Sequence, residues 1–300
     1  MMKKALRKKV VHIRGNDIYY ERHFHSRTAP TLVLLHGFLS STFSYRTLVP
    51  LLSKDFNVIS VDFPPFGQSG KSRRFQYSYE NISLTLLAFL DALGIRKCVL
   101  VGHSMGGQIC LYMLKNRPEL ADKAILLCSS GYLPKSGRLL RYASLIPYFP
   151  KFVKRRLEKS GVEANLQNVV YNRQLIDDEM RDGYLRPFLN DDIFKALARM
   201  VRDREGDLSA KDLHALETKC LLLWGKHDRV VPLAVGRRLH GDLKNSELVV
   251  LDDAGHLIPE EKPELVYSYI KKFVQNEQPL LQVSKPVKIG AGSNMQQLQS

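Results

Sequence analysis

A glycine-flanked serine, Gly102-His103-Ser104-Met105-Gly106, stands between a short apolar run and a stretch of helical character. The run is Cys98-Val99-Leu100-Val101, and the stretch is Gly107-Gln108-Ile109-Cys110-Leu111-Tyr112-Met113-Leu114. Strand, sharp turn and helix in that order constrain the fold more than any other feature, because G-x-S-x-G at such a junction forms a nucleophile elbow. Small residues at Gly102 and Gly106 let the backbone close around the serine. The Ser104 hydroxyl then stands free at the end of a strand, with the Met105 N–H aimed at the same space.

A serine hydroxyl is a poor nucleophile at neutral pH; it needs a base, and the base needs an orienting group. Both are expected downstream, each on a loop just after a strand. Cys220-Leu221-Leu222-Leu223-Trp224-Gly225 is an apolar strand that runs into Lys226-His227-Asp228-Arg229. Leu248-Val249-Val250-Leu251 is another, followed by Asp252-Asp253-Ala254-Gly255-His256. The order Ser104, Asp228, His256 is the one the elbow motif implies. His103 is too close to Ser104 in sequence to be its base. His227 does not lie on the later strand-end loop that should supply the histidine. Asp252 and Asp253 shape the turn that ends their strand.

Acyl transfer also needs donors for the oxyanion of a tetrahedral intermediate, and the loss of one donor typically costs ~3 kcal/mol. Met105 N–H is one candidate. The second should come from the loop after an early strand. Thr31-Leu32-Val33-Leu34-Leu35 is such a strand, and His36-Gly37-Phe38-Leu39 is its loop. Gly37 allows the backbone to turn toward the nucleophile, which leaves Phe38 N–H as the donor.

These pieces together resemble the α/β-hydrolases, over roughly His12 to Gln275. The matching segments are His36-Gly37-Phe38, Asp62 through Ser69, the elbow, the Asp228 loop and Gly255-His256. One departure is Pro65, where relatives often carry glycine; proline fixes φ near −65°, so the turn there has no positive φ at that residue. The resemblance implies a serine hydrolase but gives no substrate. Serine at the elbow argues against the dehalogenase and epoxide hydrolase branches, which use an aspartate. C–C bond hydrolases often place tryptophan after the histidine, where this chain has Leu257. A carboxylic ester is the favoured scissile group. A C–C bond hydrolase, a perhydrolase and a non-catalytic ligand-binding protein on the same scaffold stay open as alternatives. None of these steps requires a metal or an organic cofactor.

Apolar strands alternate with helical stretches, which implies an α/β fold: a mainly parallel sheet with helices on both faces. The 300 residues, 44% of them hydrophobic, suffice for one large core. The rhythm breaks between Tyr132 and Leu216, where a charged and helical stretch reads as an inserted cap. The expected organisation is a core from 1–131 and 217–275, a cap from 132–216, and a flexible tail from 276–300.

Charge adds a complication. Forty-five basic residues against thirty acidic ones give a formal +15. Met1 to Arg14 holds Lys3, Lys4, Arg7, Lys8, Lys9 and Arg14 with no acid. Lys135 to Lys159 carries eight basic residues against Glu158 alone, interleaved with leucines and aromatics. That mixture suits peripheral contact with an anionic membrane, where each cation contributes ~1 kcal/mol; solvated outer faces of cap helices are the competing reading. Pro147 and Pro150 exclude one long surface helix. No nucleic-acid-binding module is recognisable. No apolar signal-peptide core follows the basic start, and no run is long enough to span a membrane. The expectation is a cytoplasmic enzyme acting on a small-molecule or lipid ester. Cys98, Cys110, Cys128 and Cys220 lie in apolar segments as buried free thiols, none of them on a strand-end loop beside a base.

Overall fold

The computed structural model describes residues 7–276. Eight strands form one sheet in the order β1-β2-β4-β3-β5-β6-β7-β8. The first two, β1 (Arg7–Ile13) and β2 (Asn16–His23), form a hairpin that joins the sheet by antiparallel pairing of β2 with β4. All later pairings are parallel. In chain order the elements are β3 (Thr31–Leu35), α1 (Val49–Leu52), β4 (Asn57–Asp62), α2 (Tyr79–Ala92), β5 (Val99–His103), α3 (Met105–Asn116) and β6 (Lys123–Leu127).

The central strands β3, β5 and β6 are buried along nearly their whole length, which is why Leu32–Leu35, Val99–Val101 and Ala124–Leu127 read as apolar runs rather than as alternating patterns; β4 is buried as well but carries Asn57, Ser60 and Asp62. Edge strand β1 is different. Its Lys8 stands opposite Glu21 and pairs with it at 3.5 Å. Part of the basic N-terminal cluster therefore blunts a sheet edge against unwanted pairing. Lys3 and Lys4 of that cluster lie outside the described residues, as does the expected tail beyond Asn276.

Helices α2 and α3 pack on each other, and α2 starts at Ser78, whose hydroxyl accepts the Asn81 N–H at 3.1 Å. Between β6 and β7 the chain leaves the sheet for α4 (Arg138–Ala143), α5 (Phe149–Ser160), α6 (Val162–Val169), α7 (Asp178–Leu185), α8 (Asp192–Asp203) and α9 (Ala210–His214). Pro150 falls in the first turn of α5, where a missing N–H costs nothing, so the prolines separate α4 from α5. The sheet resumes with β7 (Lys219–Gly225), α10 (Leu233–Asp242), β8 (Ser246–Leu251), α11 (Ile258–Glu261) and α12 (Pro263–Gln275), the last packed on α1. Among the described residues no helix is long and apolar enough to cross a membrane.

Parallel register brings the carboxyl ends of β3, β5, β6, β7 and β8 to one edge of the sheet. Leu35 pairs with Gly102, His103 with Leu127, Leu127 with Leu223, and Gly225 with Leu251. Ligands in open α/β sheets bind beyond such an edge.

Candidate active site

Ser104 sits between β5 and α3 with φ 53° and ψ −120°. A non-glycine residue there is strained by about 1–3 kcal/mol and needs surrounding structure to hold it. That structure is present. Ser104 N–H donates to Leu127 O at 2.9 Å, and Ser104 O accepts N–H groups from Gly107 and Ser130, each at 3.0 Å. The flanking glycines serve close approach: a Cβ on Gly106 would lie 2.1 Å from Leu35 O, and one on Gly102 would lie 2.5 Å from Gly106 O. Neither site can take a side chain without opening the turn.

Asp228 and His256 come together as the strand-end reading expects. His256 Nδ1–H donates to Asp228 Oδ2 at 2.7 Å, and both residues are buried. The other oxygen, Oδ1, accepts the N–H groups of Val230 and Val231, both at 2.8 Å. That loop is itself anchored: the fully buried Trp224 donates Nε1–H to Val231 O at 2.9 Å. A carboxylate held by three donors has no freedom to turn away from the imidazole. Asp252 pairs with Lys226 at 2.8 Å on the surface, in keeping with a turn-shaping role.

The histidine is held by its backbone as well. His256 N–H donates to Val169 O at 2.7 Å, at the end of α6. His256 O accepts from His103 Nε2–H at 2.8 Å, and the two rings lie 4.8 Å apart, centroid to centroid. His103 thus ties the residue before the serine to the histidine across 153 positions of sequence. Burial, reinforced by the neighbouring His256, pushes the His103 pKa down to about 3, so its ring stays neutral. Sequence reading discarded His103 as a base and did not find this role, because nothing local signals a bond so distant.

Phe38 and Met105 also reach the site. Gly37 packs against the elbow: a Cβ placed on it would lie 3.2 Å from Ser104 Cβ. Phe38 packs edge-to-face on Phe66 at 5.6 Å. The buried His36 braces the loop, donating Nδ1–H to Gly37 O at 2.8 Å and stacking on Phe63 at 4.3 Å. Burial lowers its pKa to about 4. Met105 is the first residue of α3, where a helix leaves its N–H groups unpaired and its dipole favours negative charge. Among the described residues, no backbone acceptor takes the N–H of Phe38 or of Met105.

Cys128 corrects one reading. It lies just past the end of β6 with φ 44°, so it does occupy a strand-end turn. Its thiol, an Asp228 carboxylate oxygen and a His256 ring nitrogen all fall within 4.8 Å of one another. The trio is not a free ligand set, because Asp228 and His256 already bond to each other. Burial, with the Asp228 charge nearby, holds the thiol well above its ordinary pKa, so Cys128 is a protonated and unreactive neighbour.

A second buried group ties α7, between β6 and β7, to Arg46 and α11. Glu260, on α11, pairs with Arg46 and accepts the Tyr184 hydroxyl of α7 at 2.9 Å. Burial raises the Glu260 pKa to about 7, against the pull of Arg46 and Tyr184.

A cavity of about 580 Å³ opens on this edge. Phe38, Ser104 and Met105 form its floor. Leu140, Phe149, Phe152, Leu157, Leu197 and Met200, all from the segment between β6 and β7, face them. Arg156 and Arg204 are the cations in its wall. The lining is otherwise mostly apolar, suited to a hydrocarbon group next to a reactive oxygen.

A family model described as the alpha/beta hydrolase fold matches residues 30–263. A relative, "Uncharacterized hydrolase YugF" of Bacillus subtilis (strain 168), is 49% identical over 261 residues, covering 87% of this chain and 95% of the relative. Among solved structures, a bacterial membrane phospholipase A superposes with a TM-score of 0.74 at 24% identity, covering 91% of this chain and 86% of that one. The meta-cleavage product hydrolase of Pseudomonas fluorescens IP01 superposes with a TM-score of 0.74 at 21% identity, covering 90% and 98%. These two share the fold and set no substrate. From the strained serine at the strand–helix junction, the paired acid and imidazole, and a match across most of its length, the chain is a hydrolase and belongs to the α/β-hydrolase fold family.

Proposed function

We propose that this hydrolase cleaves carboxylic esters through an acyl-enzyme formed on Ser104. The observation that carries the proposal is the 2.7 Å Asp228–His256 bond at the same sheet edge as a serine held at positive φ. His256 takes the hydroxyl proton as Ser104 Oγ attacks the ester carbonyl. Asp228 keeps that proton's path open by fixing the tautomer: Nδ1 carries hydrogen, so Nε2 is the free base. Phe38 and Met105 N–H groups receive the negative charge that develops on the carbonyl oxygen. His256 then gives its proton to the departing alcohol. Water, deprotonated by the same imidazole, releases the acid and restores the serine.

The helices of 132–216 act in this reading as a cap. They wall off the cavity, keep water from the acyl-enzyme except at the hydrolytic step, and define the space for the acyl group. Apolar lining favours esters with a medium or long hydrocarbon acyl chain over acetyl esters, since each buried CH₂ contributes about 0.8 kcal/mol.

Nitrophenyl esters from acetyl to palmitoyl test this. The expected kcat/KM rises with chain length over the first several methylenes, then levels off as the cavity fills. A flat profile would remove the assigned acyl pocket. Absence of any ester hydrolysis, with bleaching of a ring-cleavage dienone instead, would replace the ester by a C–C bond. Failure of a fluorophosphonate to label Ser104 would favour a ligand-binding protein.

A further inference from the structure

Helix α4 buries none of its residues, and the turn after it is nearly as open. Leu139 is 85% exposed, Tyr142 70%, Leu145 63% and Tyr148 71%. Exposed leucine and tyrosine at such density call for a partner surface; isolated ones would not. Leu139 and Tyr142 stand three residues apart on one helical face, and Leu145 and Ile146, also exposed, follow in the turn past the helix end. Phe152, one turn into α5, is 62% exposed.

Cations frame the patch. Among the described residues, Lys135, Arg138, Arg141, Arg155, Arg156 and Lys159 have no carboxylate within ion-pair distance, whereas Lys154 pairs with Asp191 at 2.7 Å. Lys151 sits over the Tyr148 ring at 5.6 Å. A soluble protein partner would have to match this density of unpaired positive charge around a greasy centre. The face of an anionic bilayer does so everywhere, with headgroups for the cations and acyl chains for the leucines.

The patch is continuous with the cavity. Leu140, Phe149, Phe152 and Arg156 line the cavity above Ser104 and belong to the same two helices. A surface helix lying in the headgroup layer would place the cavity mouth where ester-linked chains are found.

We propose that α4, the turn after it and the start of α5 dock this hydrolase on an anionic lipid bilayer and admit a lipid ester from that surface. The choice of substrate rests on the ester-hydrolase reading above; the docking does not. Arg156, with no acid partner, is placed to meet the phosphate or carboxylate of a lipid that has entered.

Vesicle flotation separates the two. Wild type and Ser104→Ala are each mixed with phosphatidylcholine vesicles and with vesicles containing about a third phosphatidylglycerol, alongside two variants. One variant carries Leu139→Ser, Tyr142→Ser and Tyr148→Ser; the other carries Arg138→Glu, Arg141→Glu and Lys151→Glu. None of these six residues lines the cavity. The expected result is flotation of wild type and Ser104→Ala with the anionic vesicles only. Half-molar salt and either variant should each reduce it at least tenfold. Both variants should hydrolyse a water-soluble short-chain ester within twofold of wild type. If that ester is never cleaved but flotation follows this pattern, the docking stands and the ester reading falls. Wild type that ignores anionic vesicles, binds neutral ones equally well, or floats unchanged when the three apolar residues are serine would overturn the docking. So would a concentration-dependent dimer abolished by the serine variant, which would assign the patch to a second copy of this chain.

Discussion

Replacing Ser104 with alanine is expected to abolish ester hydrolysis while leaving the fold intact. The loss should be on the order of 10⁵-fold or more in kcat, because the nucleophile is the one group whose bond to substrate defines the acyl-enzyme. Alanine removes one oxygen and keeps Cβ, so the backbone bonds from Leu127, Gly107 and Ser130 that hold the elbow persist. Positive φ is no worse for alanine than for serine. Melting temperature should therefore move by no more than a few degrees, read by circular dichroism, while activity falls to the level contributed by the oxyanion donors alone. Hydrolysis retained within tenfold of wild type would exclude Ser104 as the nucleophile.

Asp228→Asn is the second large effect, and its cause is a tautomer. The asparagine oxygen can still accept from Val230 and Val231, so the loop is kept. Its NH₂ then faces His256 Nδ1, where the carboxylate now accepts at 2.7 Å. A donor facing Nδ1 forces the ring hydrogen onto Nε2, and the nitrogen needed as base is occupied. A loss of about 10⁴-fold in kcat, with KM little changed, follows. Asp252→Asn is the matched control: that side chain pairs with Lys226 on the surface, and activity should stay within twofold. Equal losses in the two variants would mean that the acid had been assigned to the wrong loop.

Features carried by short segments were legible in the sequence. The strands β3, β5, β6 and β7 are apolar runs because both faces of each are covered, and each ends in a loop where polar chemistry begins. With the elbow located, order along the chain was enough to reach Asp228 and His256. Prolines marked the break between α4 and α5.

Features carried by distant partners were not legible. His103 meets His256, and Arg46 meets Glu260 from 214 residues away; neither pair has a local pattern. Cys128 read as a buried thiol within an apolar segment, away from any strand-end loop. Its left-handed conformation comes one residue past β6, where its N–H donates to Leu223 O at 2.9 Å, a contact with a residue far along the chain. The basic N-terminus read as a free charge cluster, but Lys8 and Lys9 belong to an edge strand, where lysine has a structural use. Composition weighed all cations alike; only the fold separates those that are paired from those left facing outward on α4 and α5.

The central claim is that the reaction passes through an ester bond on Ser104, and a trapped intermediate tests it most directly. The enzyme would be mixed with excess nitrophenyl ester, quenched in acid within the first turnover, digested, and weighed by mass spectrometry. The account predicts one acyl group per chain, on the peptide containing Ser104, and none on Ser104→Ala. An acyl group on another residue, or turnover with no acylated peptide at any quench time, would contradict it.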